Sequence, residues 1–180
     1  MICSLGFVDH LWKGPVVIFN DHFKHKRLLS KSPNIYAVDH VLVDGALVDA
    51  SVVRQVGTPR EDFFMMCEDL EYSKRIKGAG FSISVLEDLD LLERIHLGGG
   101  NKFSTRTLWR GYYHSRNHLF ILKKYFSIKA MLMYIIRQSK FLITSLSAPD
   151  RFRRIRLRML GIYHGLTGKT GKRIDPQSFY

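Results

Sequence analysis

Cysteine is nearly absent from this chain of 180 residues, which holds only Cys3 and Cys67. That count excludes a disulfide framework and a zinc site built from cysteines, and it points to a reducing compartment. Proline is scarce as well, with five residues, and no low-complexity or collagen-like tract occurs, which excludes the fibrous and linker-dominated classes. There is no uninterrupted apolar run of about 18–20 residues, the length a bilayer-spanning helix needs. The nearest, residues 126–146, is broken by Lys129, Arg137 and Lys140. The apolar start from Met1 to Val8 has no basic flank and meets Asp9 and His10 at once, unlike a signal peptide. Acid is what the second half lacks most: residues 97–180 contain Asp150 and Asp175 against 17 Lys and Arg.

What is present is ample for a folded core. Hydrophobic residues make up 46% of the chain and charged residues 24%, which excludes intrinsic disorder. The net charge of +12 is unevenly placed, with −3 over residues 1–96 and +15 over 97–180. A mildly acidic α/β region followed by a basic helical one is the direct reading, and such asymmetry points to an anionic membrane surface or to nucleic acid.

Val16-Val-Ile-Phe19 and the stretch Tyr36 to Val48 have strand patterns, the second broken by Asp44-Gly45, where glycine marks a bulge or a close backbone approach to a ligand. Asp49 or Ser51 predicts the cap of a short helix that Gly57 closes. From Glu61 to Gly78 acids crowd the front and Lys74, Arg75 and Lys77 the back, the order the helix dipole favours, so one helix is expected. Phe81 to Val85 alternates as a strand does. Thr107 to Tyr125, Ile128 to Leu146 and Pro149 to Tyr163 show helical periodicity.

The strongest local feature is Cys67-Glu68-Asp69-Leu70-Glu71. The apolar run before it, Phe63 to Met66, draws these carboxylates toward a core, and a partly desolvated carboxylate is a candidate general base. The alternative is a set of acids that merely stabilises a helix start. His96 ends an apolar stretch before three glycines, as a packed residue or, with carboxylates nearby, a metal ligand. Three further matches are weak. Asp88-Leu-Asp90 has the spacing of a divalent-metal pair but reads as a turn. Gly165 to Thr170 lacks the first glycine of a phosphate loop, and no strand precedes it. His114 and His118 lie four apart on a helix, but Ser115 stands where the metalloprotease motif has glutamate, so they read as helix-surface or packing histidines.

Taken in order, Val38-Asp-His-Val-Leu-Val-Asp-Gly-Ala-Leu-Val48, Val56-Gly57, Phe63-Phe64, Glu68-Asp-Leu-Glu71, Arg75, Gly80, His96 and Gly111-Tyr-Tyr-His-Ser-Arg-Asn117 resemble the C-terminal half of family 2 glycosyltransferases, rhamnosyltransferase-like or galactofuranosyltransferase-like. The resemblance implies an α/β chain: the acceptor-side portion of a GT-A fold over residues 1–105, with a basic helical region over 106–180. The nucleotide-binding half, with its Asp-x-Asp pair, is expected ahead of the matched region and is missing here, as in a truncated or split enzyme. The resemblance further implies that Asp69 is the base for inverting attack by an acceptor hydroxyl. It places Glu68, Glu71, Arg75 and Asp44-Gly45 around the substrates, and makes His96 a ligand of a divalent cation, magnesium or manganese. Tyr112, Tyr113, Arg116 and Asn117 match the helix packed behind the site.

The partners so implied are a nucleotide-sugar donor, a glycan or lipid-linked acceptor, a separate N-terminal half and an anionic membrane surface at the inner face of the cell membrane. The last fits helices that combine an apolar stripe with Lys and Arg. The competing reading is a nucleic-acid-binding module whose residues 97–180 track phosphates with Trp109, Tyr112, Tyr113 and Tyr125 interleaved. No recognisable nucleic-acid motif is present, and that reading leaves the acidic first part without a purpose.

Overall fold

The computed structural model describes residues 2–4, 26–27, 35–41, 43, 46–86 and 107–179. The chain divides into two units: Met1–Pro59 with Asp69–Gly99, and Arg60–Glu68 with Gly100–Tyr180.

In the first unit five short strands, β1 (Ile2–Ser4), β2 (Lys26–Arg27), β3 (Ile35–Ala37), β4 (Ala46–Leu47) and β5 (Ser84–Leu86), form one sheet in the order β2-β3-β5-β1-β4. β1 and β5 run parallel, with Ile2 opposite Ser84, and the other pairings are antiparallel. Helix α1 (Ala50–Val56) starts where the Ser51 N–H donates to the Asp49 carboxylate at 2.7 Å, and it stops at Gly57, whose φ of 76° suits glycine. Helix α2 (Glu68–Gly78) ends ahead of Gly80, also left-handed. The core is aliphatic: Val38, Val41, Val52, Ile76 and Ile83 close around Tyr72.

In the second unit α3 (Leu108–Lys124), α4 (Ile128–Leu146) and α5 (Arg151–Thr167) lie where the periodicity expects helices. α3 and α5 approach closely because α5 presents Gly161 and Gly165 to α3. A Cβ at Gly161 would stand 2.4 Å from both the Ser115 hydroxyl and the Tyr112 carbonyl, and one at Gly165 would stand 2.9 Å from the Arg116 carbonyl. Trp109, Tyr112 and Tyr113 form an aromatic core with Met65, Met66, Leu157 and Leu160 around it. Leu119, Leu122 and Tyr134 form a second cluster with Ile162.

Residues 60–68 group with the C-terminal helices. Two expectations change. The helix expected from Glu61 begins only at Glu68; Glu61–Phe63 is a single 3-10 turn, and Phe64, Met66 and Cys67 all take left-handed φ values of 64–71°. The carbonyls that would continue a helix there are claimed by side chains of α3, described below. Finally, helices dominate the described residues and each described strand has two or three residues. The first unit is thus a small mixed α/β arrangement, and a sheet of GT-A proportions is not among the described residues.

Candidate functional site

In the first unit the acidic motif opens α2. The Asp69 carboxylate accepts the Val43 backbone N–H at 3.0 Å, which ties the start of the helix to the residue preceding Asp44-Gly45. One turn further on, Ser73 accepts the Val41 N–H at 3.3 Å through its hydroxyl. These two bonds hold Val41 and Val43 along α2. The side chains of Asp69 and Glu68 are half-buried.

Glu71 points the other way. It is 1% exposed and receives both Nε and Nη2 of Arg75, one helical turn later, at 3.2 and 3.0 Å. The same guanidinium donates to the Val56 carbonyl at 2.5 Å and the Thr58 carbonyl at 2.9 Å, which satisfies the C-terminal end of α1. Glu71 and Arg75 were expected near a substrate; in the structure they fasten α1 to α2. Their i, i+4 spacing was visible in the sequence, whereas the carbonyl targets came from a chain turn no spacing reveals.

Asp44, Gly45 and His96 lie outside the described residues, as does Asp88-Leu-Asp90. Nearby, His40 is buried, and desolvation lowers its pKa to about 4 despite the Asp39 charge beside it, with Lys74 pushing the same way as burial. Its imidazole is therefore neutral at pH 7.

The second unit holds a polar network inside its aromatic core. Arg116 is fully buried. Its guanidinium donates to the carbonyls of Phe63 at 2.9 Å and Gly171 at 2.7 Å, and to the Asn117 amide oxygen at 2.8 Å. The faces of Tyr112 and Tyr113 lie within 5.5 Å of its charge. The Asn117 amide nitrogen reaches the carbonyls of Phe63, Met65 and Met66 at 2.8–3.0 Å. The left-handed residues of this loop, each costing about 1–3 kcal/mol, persist because Arg116 and Asn117 over-determine its backbone. The Tyr113 hydroxyl accepts the N–H groups of Arg173 and Ile174 and donates to the Ile174 carbonyl, which pins the C-terminal segment to α3.

At the end of that loop Cys67 reaches α3. Its thiol donates to the His114 carbonyl at 4.0 Å, and donor atoms of Cys67, His114 and His118 all lie within 4.8 Å of one another. The histidine rings stack edge to face at 5.6 Å. Among the described residues the His114 Nδ1 atom is buried and has no hydrogen-bond partner, while its Nε2 faces an Arg137 N–H at 3.5 Å. Burial, with His118, Arg137 and Arg158 around it, lowers the His114 pKa to about 3. The four-residue spacing of the histidines was the sequence signal for this cluster. The arrival of Cys67, 47 residues earlier in the chain than His114, was not readable.

The grouping of three candidate ligands found among the described residues is one thiol and two imidazoles, whereas magnesium and manganese favour carboxylate, carbonyl and water oxygens; His96, the expected ligand of such a cation, lies outside the described residues.

Compared with protein-family models, curated proteins and solved structures, the chain matches none significantly.

Proposed function

We propose that this chain is the acceptor-side part of an inverting glycosyltransferase working at an anionic membrane surface, with Asp69 as the base. In this reading the Asp69 carboxylate takes the proton of an acceptor hydroxyl while that oxygen attacks the anomeric carbon of a nucleotide sugar and the nucleoside diphosphate departs. The observation that carries the reading is the 3.0 Å bond from the Val43 N–H to Asp69. It brings the acidic motif to Val43, 26 residues earlier and next in the chain to the Asp44-Gly45 pair that the resemblance assigns to the same site. A carboxylate fixed through one oxygen at a helix start is oriented for proton transfer.

The membrane part of the reading rests on the surface of the second unit. No helix among the described residues is long and apolar enough to cross a membrane. Yet Ile128, Leu132, Ile135, Ile143 and Leu146 of α4 and Phe152 of α5 are each more than half exposed. Lys129, Lys140, Arg151, Arg153 and Arg156 on the same two helices are exposed too. Apolar side chains beside cations suit the boundary of an anionic bilayer, and the near absence of cysteine suits its cytoplasmic face. Phosphate tracking by a nucleic-acid module gives the exposed isoleucines and leucines no role.

The chain joined to an Asp-x-Asp-bearing nucleotide-binding half is expected to transfer sugar from a nucleotide donor to a lipid-linked acceptor. Asp69→Asn should reduce turnover by at least about 100-fold, the usual worth of a general base; unchanged turnover would refute the assignment. Vesicles of phosphatidylglycerol should sediment the unmodified chain and neutral vesicles should not. Retention of duplex DNA at physiological salt without vesicle binding would favour the module.

A further inference from the structure

We propose that Cys67, His114 and His118 form a binding site for a borderline transition-metal cation, zinc foremost, with three protein ligands and an open fourth position. The proposal is independent of the glycosyl-transfer reading. A thiol and two imidazoles are the donor set of three-ligand zinc sites, and they select zinc, cobalt, nickel or copper over magnesium and calcium. In such a site neighbouring donors stand about 3.5 Å apart, given metal–sulfur and metal–nitrogen bonds of about 2.3 and 2.0 Å. The donors here lie within 4.8 Å, so rotation about side-chain torsions closes the site without moving a helix. His114 and His118 are one turn apart on α3, a rigid chelating pair.

Two further observations point to a ligand. The His114 Nδ1 atom is buried without a hydrogen-bond partner among the described residues, an arrangement that costs free energy unless something else coordinates the ring. The backbone that delivers Cys67 is left-handed at Phe64, Met66 and Cys67 itself, with Arg116 and Asn117 holding the carbonyls of Asp62, Phe63, Met65 and Met66 so that the thiol ends against α3. Strain of this kind collects where a side chain must be aimed. A metal there ties the strained loop to α3 and stabilises the second unit by mass action.

Arg137 opposes the metal. Its guanidinium lies 3.5 Å from Nε2 of His114 and carries the same sign of charge as the ion, so it repels a cation bound to that ring. Removing that charge therefore tightens the site, whereas a role of Arg137 in helix packing alone leaves affinity unchanged.

The test uses the untagged full chain in a Cys3→Ser background, stripped with a chelator and titrated with cobalt. One equivalent is expected to bind with thiolate-to-cobalt charge-transfer absorption in the near ultraviolet and tetrahedral bands in the visible, both erased by zinc. Cys67→Ser should abolish the charge-transfer band. His114→Gln and His118→Gln should each weaken binding by more than the roughly 10–100-fold that loss of an outer-shell partner costs, and Arg137→Gln should tighten it. Should the histidine variants fold poorly, the parent background suffices: zinc should slow alkylation of Cys67 at least 10-fold and raise the melting temperature, and chelator should reverse both. The absence of a thiolate–cobalt band, its survival in the His114→Gln/His118→Gln double variant, or an alkylation rate indifferent to zinc would each overturn the proposal.

Discussion

Arg75 in the first unit and Arg116 in the second each sit on a helix and each donate to backbone carbonyls, yet they stabilise in different ways. Arg75 is partly exposed and lies beside Glu71 one turn back, so its charge is balanced locally and its remaining donors finish the end of α1. Arg116 is fully buried; carbonyl oxygens, one amide oxygen and aromatic faces surround it. Around Arg75 the core is small and mostly aliphatic, with Tyr72 beneath the guanidinium. Around Arg116 it is aromatic, and the buried polar network dictates the course of a strained loop. In the first unit polar bonds trim elements that apolar packing assembles. In the second they select one backbone path among many, since a half-satisfied buried network is worse than none.

Removing Arg116 breaks this contrast most severely. Arg116→Ala takes the donor from the Gly171 carbonyl and the Asn117 amide oxygen, removes one of the donors to the Phe63 carbonyl, and should cost the second unit about 3–5 kcal/mol. Urea denaturation followed by tryptophan emission, with Trp109 as reporter, measures this; a loss below 1 kcal/mol would show that the loop is held by packing instead. Next comes acid, which acts on both units, through His114 in the second and His40 in the first. The folded-state pKa of His40, about 4, lies below its ordinary 6.5, so between these values the unfolded chain binds more protons. Stability from this residue is complete above pH 6.5 and is lost as pH falls toward 4, by at most about 3 kcal/mol. Comparing melts at pH 7 and pH 5 for the parent and His40→Gln isolates it: the variant should lose less on acidification.

Gly161→Ala tests the close approach of α3 and α5. Its methyl would overlap the Tyr112 carbonyl, and the expected loss is about 1–3 kcal/mol despite the better helix propensity of alanine. A stabilised variant in thermal unfolding would mean the helices separate freely. The smallest effect belongs to Lys172 and Asp175, a pair 3.1 Å apart with both side chains half exposed. Lys172→Ala should leave stability unchanged within the scatter of a denaturant melt.

The elements with a strong local signal were readable from the residues. Asp49 and Gly57 bracket α1 as capping chemistry requires, and the three long helices follow their apolar periodicity. The start of α2 was not readable. The acids of Glu61 and Asp62 satisfy the helix-dipole pattern, but Arg116 and Asn117, more than 50 residues away, take the carbonyls that a helix would use. Tertiary hydrogen bonds to a buried charge outweigh dipole preferences of a few tenths of a kcal/mol. The same holds at the candidate site: the acidic motif stands out in sequence, but the division of labour within it does not. Glu71 is turned inward to Arg75, while Asp69 is turned to Val43.

Composition and periodicity alone determined that this chain carries its positive charge on C-terminal helices, that two cysteines build no disulfide framework, and that the acids after Cys67 lie on a helix. Those properties depend on residues a few positions apart, where spacing is geometry. The meeting of Cys67 with His114 and His118, the burial of Arg116 and the depth to which α5 settles on α3 were decided by the folded chain. Each depends on which distant backbone atoms compete for the same donor, or on how closely two glycines let helices approach, and no local pattern encodes either.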